Sequence, residues 1–507
     1  EFETRKVRNL ENNVAGKATD VAKKFVDECR AAFKTPERWA AFRQDLRLFR
    51  SHMGKDWWQK MFKDHGFNAS PVWSMLGVTI ANNFLATPPP PDALVNSPAN
   101  LKGKNAKARK AINKRFKEDK REFEHRIGSF ALFDAGCYVT LFLLIWWAFG
   151  LWGLAFSILV FGVGYPWAYF WTGGSFGRAP WLLMSVAGVC LFKRGFPLLG
   201  GFGITWAMLL RVFPGALIFG VSIKMAWSLL TKRRLSRTHV RIIVGCTLGM
   251  VVLVGSSMAY FGGTQVYQDF LTNSFKHNDT KLTNHMGLPT LISYHPSYIA
   301  RKARDNSKKD PFKKWKDMRR KLKKDRLWLH ALLLLSFIGM LGYIGRRMHD
   351  WEVTALSTVF IVGIFELTCY YYSFLLLMAL VAARRASYAI AMIAMVVGGQ
   401  IIRLTHGWYD EQYTWETLLV VLAQIFIMVG LCIETYLADK KDALAAAQSS
   451  PPPTVGGPDA EGNEDIPAET SELEGESRPM PSDEGEQNSE TGDEDDAAPV
   501  DPGLQPA

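Results

Sequence analysis

The chain is 507 residues long and carries 60 Lys and Arg residues against 48 Asp and Glu residues, which gives a net charge of +12. A soluble chain of this length would form roughly three domains at about 150 residues each. Here the apolar residues are instead concentrated in long runs between Gly128 and Ala438, and several runs approach the roughly 20 residues that span a bilayer as a helix. This pattern excludes a soluble globular protein and predicts an all-α, polytopic helical membrane protein.

Both ends of the chain are polar. Residues 1–66 have apolar positions at helical spacing between charged residues, for example Trp39, Phe42, Leu46 and Phe49, which predicts a polar amphipathic helical region. Residues 446–507 contain 17 acidic residues and a single basic one. Such a composition does not bury enough apolar area to fold, so we expect a disordered acidic tail over 439–507.

Residues 67–128 are predicted to be a membrane-entry segment followed by a basic linker. An apolar stretch begins at Pro71 and is ended by the proline run 88–91, since proline cannot continue a helix. The basic residues that follow predict attraction to anionic membrane lipids. They lack interleaved aromatic residues for base stacking, which argues against a nucleic-acid partner.

The apolar region is expected to form about ten transmembrane or membrane-dipping helices in two blocks, 129–262 and 327–438, separated by a long extramembrane loop over 263–326. The run 353–382 is long enough for one tilted helix or two short ones. The predicted segments are 129–149, 151–171, 180–192, 196–211, 213–230, 240–262, 327–345, 353–382, 387–403 and 416–437.

Basic residues in short loops predict the orientation, because such loops stay in the cytoplasm. The pairs Lys193-Arg194 and Arg346-Arg347, together with the cluster at 232–241, are all expected on the cytoplasmic side. The loop 263–326 is then outside, although its own end is basic, because long loops follow the rule weakly.

Charged residues near the bilayer are costly and therefore mark candidate sites. Arg211 precedes a proline break at Pro214 and could bind a phosphate through its planar guanidinium; a snorkelling interfacial arginine is the alternative. Arg178 follows a glycine-containing stretch whose backbone could approach an anion, with a plain interhelical turn as the alternative.

Three further positions could contact a substrate. Asn284 and His285 open a short apolar segment in the outer loop, where they could contact a sugar or merely form a turn. Asp64 and His65 are general-base or metal-ligand candidates by residue type alone, with a solvated face as the alternative. Glu366 and Asp134 are carboxylates in apolar runs without an identifiable partner.

The sequence shows none of the common nucleotide-binding, serine-hydrolase or zinc-protease motifs. Its six cysteines lack metal-ligand spacing, so no metal site is predicted. No cofactor is identified, and a divalent cation is left open.

The order of motifs in the membrane block resembles the middle of GT-C-type membrane glycosyltransferases, especially glycosyltransferase family 87. The resemblance covers about residues 64–300. It rests on the glycine-containing loop before Arg178, the small-residue helix that leads to Leu210-Arg211-Val212-Phe213-Pro214, and the basic cytoplasmic loop at 232–241. It also rests on an Asn-led segment at 284–288 and a proline-led membrane entry at 67–73.

This resemblance implies an enzyme that transfers a sugar from a polyprenyl-phosphate donor at the outer face of a membrane, in this family a bacterial inner membrane. Arg178 and Arg211 would neutralise the leaving phosphate, while Asn284, His285 and Asn68 would contact substrate. In that family the catalytic acid follows a first transmembrane helix. Because the chain starts at Glu1 without such a helix, we expect the base upstream of residue 1, or at Asp64.

Two other functions stay open on the sequence. One is a transporter or scaffold with a site at broken helices around Pro214. The other is a structural membrane protein whose acidic tail recruits partners that the sequence does not identify.

Overall fold

The computed structural model describes residues 6–9, 14–19, 28–33, 35–63, 69–84, 103–130, 132–168, 177–278, 280–308, 310–407 and 410–449. Residues up to Ala447 form one compact unit, and the described part of the second unit is only Gln448 and Ser449. The disordered tail was predicted over 439–507, but residues 439–449 continue the last described helix, so the prediction is wrong for that part. The rest of the predicted tail lies outside the described residues, as do the predicted site residues Asp64 and Asn68.

The described chain is almost entirely helical. Its elements are β1 (Lys6–Asn9), β2 (Val14–Lys17), α1 (Pro36–His52), α2 (Lys55–Met61), α3 (Pro71–Phe84), α4 (Ala106–Phe130), α5 (Leu132–Val163), α6 (Pro180–Lys193), α7 (Pro197–Leu210), α8 (Ile218–Lys232), α9 (Arg237–Phe261), α10 (Gln265–Asn278), β3 (His285–Met286), α11 (Leu288–Ile292), α12 (Ala300–Ala303), α13 (Lys313–Asp325), α14 (Leu327–Gly345), α15 (Asp350–Leu356), α16 (Thr358–Ile364), β4 (Leu367–Thr368), α17 (Leu375–Ala382), α18 (Ala386–Thr405) and α19 (Asp410–Ser449). Three 3-10 turns occur at Phe213–Leu217, Pro296–Tyr298 and Cys369–Phe374.

Six helical stretches of the described chain are long and apolar enough to cross a membrane, which confirms the predicted helical membrane protein. They are Gly128–Val163, Phe213–Lys232, Arg237–Phe261, Leu327–Gly345, Ala386–Thr405 and Asp410–Ala446. The predicted count of about ten is not reproduced. Two of the predicted segments, 180–192 and 196–211, and the second part of the predicted run 353–382 are shorter apolar helices of 14 residues each. They are Pro180–Lys193, Pro197–Leu210 and Cys369–Ala382.

The helix α5 is a hairpin of two arms. Gly150 interrupts it with φ 72° and ψ −172°, a conformation that a residue with a Cβ rarely adopts. The rings of Tyr138 and Phe161 are 5.3 Å apart, whereas 23 residues of straight helix would separate them by roughly 34 Å. The sequence division of this region at residue 150 is therefore correct.

The helices alternate in direction between two ends of the bundle. At one end, the backbone N–H of Ala179 donates to the Asp134 carboxylate at 2.9 Å. At the other end, the guanidinium of Arg194 donates to the Trp147 carbonyl. We call these the Arg178 end and the Lys193 end.

The Lys193 end gathers the basic residues that were predicted to be cytoplasmic. The Lys193 ammonium lies 4.9 Å from the Trp351 ring centroid. The Arg346 guanidinium lies 6.0 Å from the ring centroid of Trp227 and 2.9 Å from an Asp439 oxygen. Lys193, Arg346 and the end of α8 thus share one side, as their positions in short loops predicted.

The run 353–382 forms the centre of the bundle and turns back on itself. Helices α15, α16 and α17 are buried nearly all around, as an apolar helix surrounded by other helices should be. The run starts at Trp351 near Lys193 and returns there, since Trp152 Nε1 donates to the Ala383 carbonyl at 2.9 Å. We call Asp350–Ala382 the central hairpin. Of the two predicted alternatives, one tilted helix is wrong: the run has two limbs, one formed by α15 and α16 and the other by the 3-10 turn Cys369–Phe374 and α17.

Close backbone contact holds α7 against α9. A Cβ placed on Gly201 would overlap the Ile242 carbonyl oxygen, and one on Gly245 would overlap the Leu198 carbonyl oxygen. Small residues at these two positions let the helix backbones touch, which is how helices associate in lipid.

The N-terminal region differs partly from its prediction. Helices α1 and α2 are present as expected. Residues 6–17, however, include an antiparallel pair in which Lys6 faces Lys17, because a short connection allows two short segments to satisfy their backbone groups locally. The loop 263–326 is largely ordered into α10 to α13.

The fold predicts that residues 236 and 294 lie on opposite sides of the membrane. Ser236 caps α9, whose 25 residues span about 37 Å, and the described residues between Gly262 and Tyr294 contain no further span. A reporter fused after Ser236 should be active only in the cytoplasm, and one after Tyr294 only outside it. A fusion after Arg347 serves as control and should match Ser236; equal behaviour at 236 and 294 would contradict the fold.

Candidate functional site

The loops that carry Arg178 and Arg211 meet at the N-terminus of α3. Trp73 Nε1 donates to the carbonyl of Gly177 at 2.7 Å. The buried Ser70 hydroxyl donates to the carbonyl of Leu210 at 3.4 Å. The residues that precede the two arginines are thus both tied to the first turn of α3 and the residue before it. In the sequence, these partners lie 104 and 140 positions upstream.

Both guanidinium groups lie over tyrosine rings of the central hairpin. Arg178 is 4.8 Å from the Tyr370 ring centroid and Arg211 is 5.7 Å from that of Tyr371. The two tyrosine rings are 4.4 Å apart. Both positive charges also act on the Tyr370 hydroxyl. We call these four residues the arginine–tyrosine cluster, in which cation–π contacts hold two like charges near one another.

Aromatic side chains form the wall behind the cluster. The Phe213 ring is 4.9 Å from that of Trp181 and 5.0 Å from that of Tyr371. Phe213 and Tyr371 both belong to 3-10 turns, at Phe213–Leu217 and Cys369–Phe374. Two breaks in the helical bundle therefore pack against each other at the arginines.

The two arginines differ in their charge environment. Asp134 accepts hydrogen bonds from the backbone N–H groups of Arg178, at 3.3 Å, and of Ala179. A negative charge is therefore present beside Arg178. For Arg211, by contrast, no acidic side chain of the described chain lies within ion-pairing distance. Arg211 is half-buried, so its charge is only partly solvated and is available to an anion from outside the protein.

An apolar groove adjoins the cluster at Gly177. Its volume is about 80 Å³. It is lined by one face of α3 and by the junction of α4 and α5, namely Trp73, Leu76, Gly77, Ile80, Ala81, Phe130, Phe133 and Gly177. A groove without polar side chains suits a hydrocarbon chain and not a sugar.

Asn284 and His285 reach the same region through the backbone. Strand β3 pairs with β4, so that His285 faces Thr368, and the Cys369 N–H donates to the Asn284 carbonyl at 3.0 Å. Gly287, at φ 129°, lies so close to the Phe365 carbonyl that a Cβ would overlap it. The structure therefore places 284–287 beside the segment that carries Tyr370 and Tyr371.

Glu366, for which the sequence offered no partner, forms a buried ion pair with Lys281. Its side chain is 5% exposed and that of Lys281 is 8% exposed. Lys323 Nζ lies 3.8 Å away. Burial on its own raises the pKa of Glu366, but the charges of Lys281 and Lys323 and the hydrogen bond from Lys281 outweigh it, so the pKa is lowered.

The structure thus brings four predicted residues, Arg178, Arg211, Asn284 and His285, to one region around residues 366–371. The sequence prediction missed the tyrosines, and also Ser70 and Trp73. The run Tyr370-Tyr371-Tyr372 within an apolar stretch was a usable signal, since tyrosine hydroxyls in such a stretch need polar partners.

Comparison with protein-family models, with curated proteins and with solved structures finds no match for this chain. Among the residues that the structure describes, no group of three or more His, Cys, Asp or Glu side chains is arranged to hold a metal ion.

We expect Glu366→Gln to lower the free energy of unfolding by about 3–5 kcal/mol, because it leaves the buried Lys281 charge unpaired. In the wild type this contribution is complete above the pKa of an unfolded glutamate, about 4.3, and is lost as the pH falls through the lower folded value. Thermal unfolding in detergent, followed from about pH 3 to about pH 7 so that the range includes that pKa, measures both the loss of stability in the variant and the pH dependence of the wild type.

The matched control for this change is Asp317→Asn, which breaks the exposed pair between Asp317 and Arg320 on α13. Exposed pairs contribute less than about 1 kcal/mol. Equal losses in the two variants would show that the Glu366 pair does not stabilise the fold.

Proposed function

We propose that this protein binds a lipid-linked phosphate at the arginine–tyrosine cluster, as the donor site of a membrane glycosyltransferase. The observation that carries the proposal is the convergence of Arg178 and Arg211 on adjacent tyrosines of the central hairpin. The resemblance to GT-C-type enzymes assigned these same two arginines to the lipid phosphate.

The chemistry of the cluster suits a phosphate. A guanidinium presents a planar fork of N–H donors that matches two phosphate oxygens. No carboxylate among the described residues forms an ion pair with Arg211. An incoming anion therefore does not have to displace an existing ion pair there. Held by a tyrosine ring, the guanidinium also loses little freedom on binding.

The apolar groove would take the hydrocarbon chain of the same lipid. It begins at Gly177, the residue before Arg178, and continues along α3. A phosphate at the arginines and a chain along Leu76 and Ile80 would therefore belong to one amphipathic molecule. Side chains of Asn284 and His285 would stand nearest to the sugar.

In such a transfer the arginines would stabilise the phosphate as its bond to the sugar breaks, an electrostatic role. The base that deprotonates the acceptor must be a free carboxylate. Asp134 already accepts two backbone N–H groups, and Glu366 is paired with Lys281. We therefore retain Asp64 as the proposed base.

The proposal includes a topology in which the three shorter apolar helices cross the membrane together with the six longer ones. The alternation between the Arg178 end and the Lys193 end supports it, since α6 and α7 connect the two ends as the longer helices do. The donor site then lies at the outer face.

The second candidate function is transport of an anionic solute. The specific observation in its favour is that two 3-10 breaks, Phe213–Leu217 and Cys369–Phe374, meet at the arginines. Broken helices of this kind form substrate sites in many transporters. A transporter needs no apolar groove, so the groove separates the two candidates.

We expect Arg211→Met to weaken binding of polyprenyl phosphate about ten- to a hundredfold, the equivalent of losing hydrogen bonds to a charged group worth about 1.5–3 kcal/mol. Arg211→Lys should retain only part of the wild-type affinity for polyprenyl phosphate, because an ammonium does not reproduce the planar contact. Binding to protein in lipid nanodiscs and sugar transfer in proteoliposomes measure the two steps.

The control is Arg301→Met, an exposed arginine of α12 paired with Glu411, which should bind as the wild type does. Full binding by the lysine variant would indicate a snorkelling arginine. Binding without any sugar transfer, but with uptake of an anionic solute, would favour the transporter.

A second prediction concerns the groove. Gly77→Leu should fill it and reduce binding of a polyprenyl phosphate while leaving binding of inorganic phosphate unchanged. Gly77→Ala is the matched control, because a Cβ there makes only ordinary contact with Trp73 at 3.6 Å. If the leucine variant binds the lipid normally, the hydrocarbon chain lies elsewhere.

A further inference from the structure

The first turns of α19 carry a buried polar face that the proposed lipid site does not use. Gln412, Glu416 and Gln424 recur at multiples of four residues, so they lie on one side of the helix. All three are almost fully buried, and Glu416 is only 2% exposed. A carboxylate at such a position in a membrane-spanning helix is costly and calls for a specific explanation.

Glu416 has only one hydrogen-bond partner in the described chain. Gln412 Nε2 donates to Glu416 Oε1 at 3.1 Å. The other carboxyl oxygen, Oε2, is buried without a hydrogen-bond partner, and both polar atoms of the Gln424 side chain are likewise buried and unpartnered among the described residues. No lysine, arginine or histidine of the described chain forms an ion pair with Glu416.

The titratable and charged groups around Glu416 provide no compensating positive contact. Tyr413 on the same helix and Cys369 of the central hairpin are close enough to interact electrostatically with it. Tyr165 comes from the end of the α5 hairpin. On α18 the basic residue is Arg403, whose guanidinium lies 4.8 Å from the Tyr165 ring centroid and outside ion-pairing distance of Glu416.

A small cavity adjoins the carboxyl group. Its volume is about 10 Å³, which is roughly the room that one water molecule needs. Glu416 is the only ionisable side chain among the described residues that line it, which are otherwise Pro166, Trp167, Met395, Val396, Gly399, Leu419 and Val420. The cavity is too small for an organic ligand.

Two ligands could neutralise a carboxylate here, a metal cation or a proton. A sodium, magnesium or calcium ion requires several oxygen ligands at once, whereas this site supplies a single carboxyl group. A proton requires only the carboxyl oxygen, and the resulting O–H can bond to one water in the cavity. The geometry therefore selects the proton.

We propose that Glu416 is a proton-binding site within the membrane-spanning part of α19. In the resting protein the carboxyl group is the neutral acid, which accepts a hydrogen bond from Gln412. Release of the proton leaves a negative charge between α18 and α19 that is solvated only through the small cavity. Loss of the proton consequently loosens the packing of α19 against Gly399 and Trp167.

The first test is infrared spectroscopy of the full-length protein in nanodiscs, with glutamate labelled by carbon-13 at its side-chain carboxyl. The wild type should show a protonated-carboxyl band at neutral pH that disappears at alkaline pH. Glu416→Gln should lack this band, whereas the control Glu411→Gln, at a partly exposed position one turn earlier, should keep it. A band that persists in Glu416→Gln would overturn the proposal.

The second test is thermal unfolding as a function of pH, which applies even if one variant folds poorly. Because the native state holds a proton that the unfolded chain releases, wild-type stability should fall as the pH rises. Glu416→Gln and Glu416→Met carry no such proton and should not share that loss, while Glu411→Gln should follow the wild type. Stabilisation of the wild type by sodium ions at alkaline pH, absent in Glu416→Gln, would show a metal-cation site instead and overturn the proposal.

Discussion

The cost of placing charge in an apolar bundle governs this structure. A charged side chain in or beside an apolar bundle is stabilised when it is paired, placed at a helix end or held over an aromatic ring. Each solution is found here: Glu366 is paired with Lys281, Lys193 lies over Trp351 at one end, and Arg211 lies over Tyr371 at the other. The arrangement of charges therefore follows the bundle and marks its two ends.

The central hairpin connects the two ends. Its helices α15, α16 and α17 are surrounded by other helices, so their side chains are apolar nearly throughout. Its turn at residues 365–374 is the point where α-helical hydrogen bonding is interrupted. An interruption of this kind is tolerated only where protein groups satisfy the free backbone, and here β3 supplies them through Asn284 and His285.

The same interruption creates the candidate site. A continuous helix would leave no room for Tyr370 and Tyr371 to face two arginine loops at once. The second break, at Phe213–Leu217, brings Phe213 against Tyr371. The lipid-phosphate site that we propose is thus a product of two broken helices, and the transporter alternative rests on the same feature. What distinguishes the two is the apolar groove along α3.

The sequence by itself determined the helical membrane class, the division of α5 at residue 150, and the choice of Arg178 and Arg211, because apolar run length and isolated charges are local properties. It predicted more membrane-spanning helices than the six described ones that are long enough to cross a bilayer. It also identified no partner for Glu366 or Asp134. Only the tertiary structure decided that Tyr370 contacts Arg178, that Ser70 binds the carbonyl before Arg211, and that Lys281 pairs with Glu366. Such contacts join distant positions of the chain, from Lys281 and Glu366, which are 85 residues apart, to Arg178 and Tyr370, which are 370 − 178 = 192 residues apart. They depend on how the helices pack, and packing is set by side-chain shape and by close contacts such as Gly201 against α9, which no periodicity along the chain encodes.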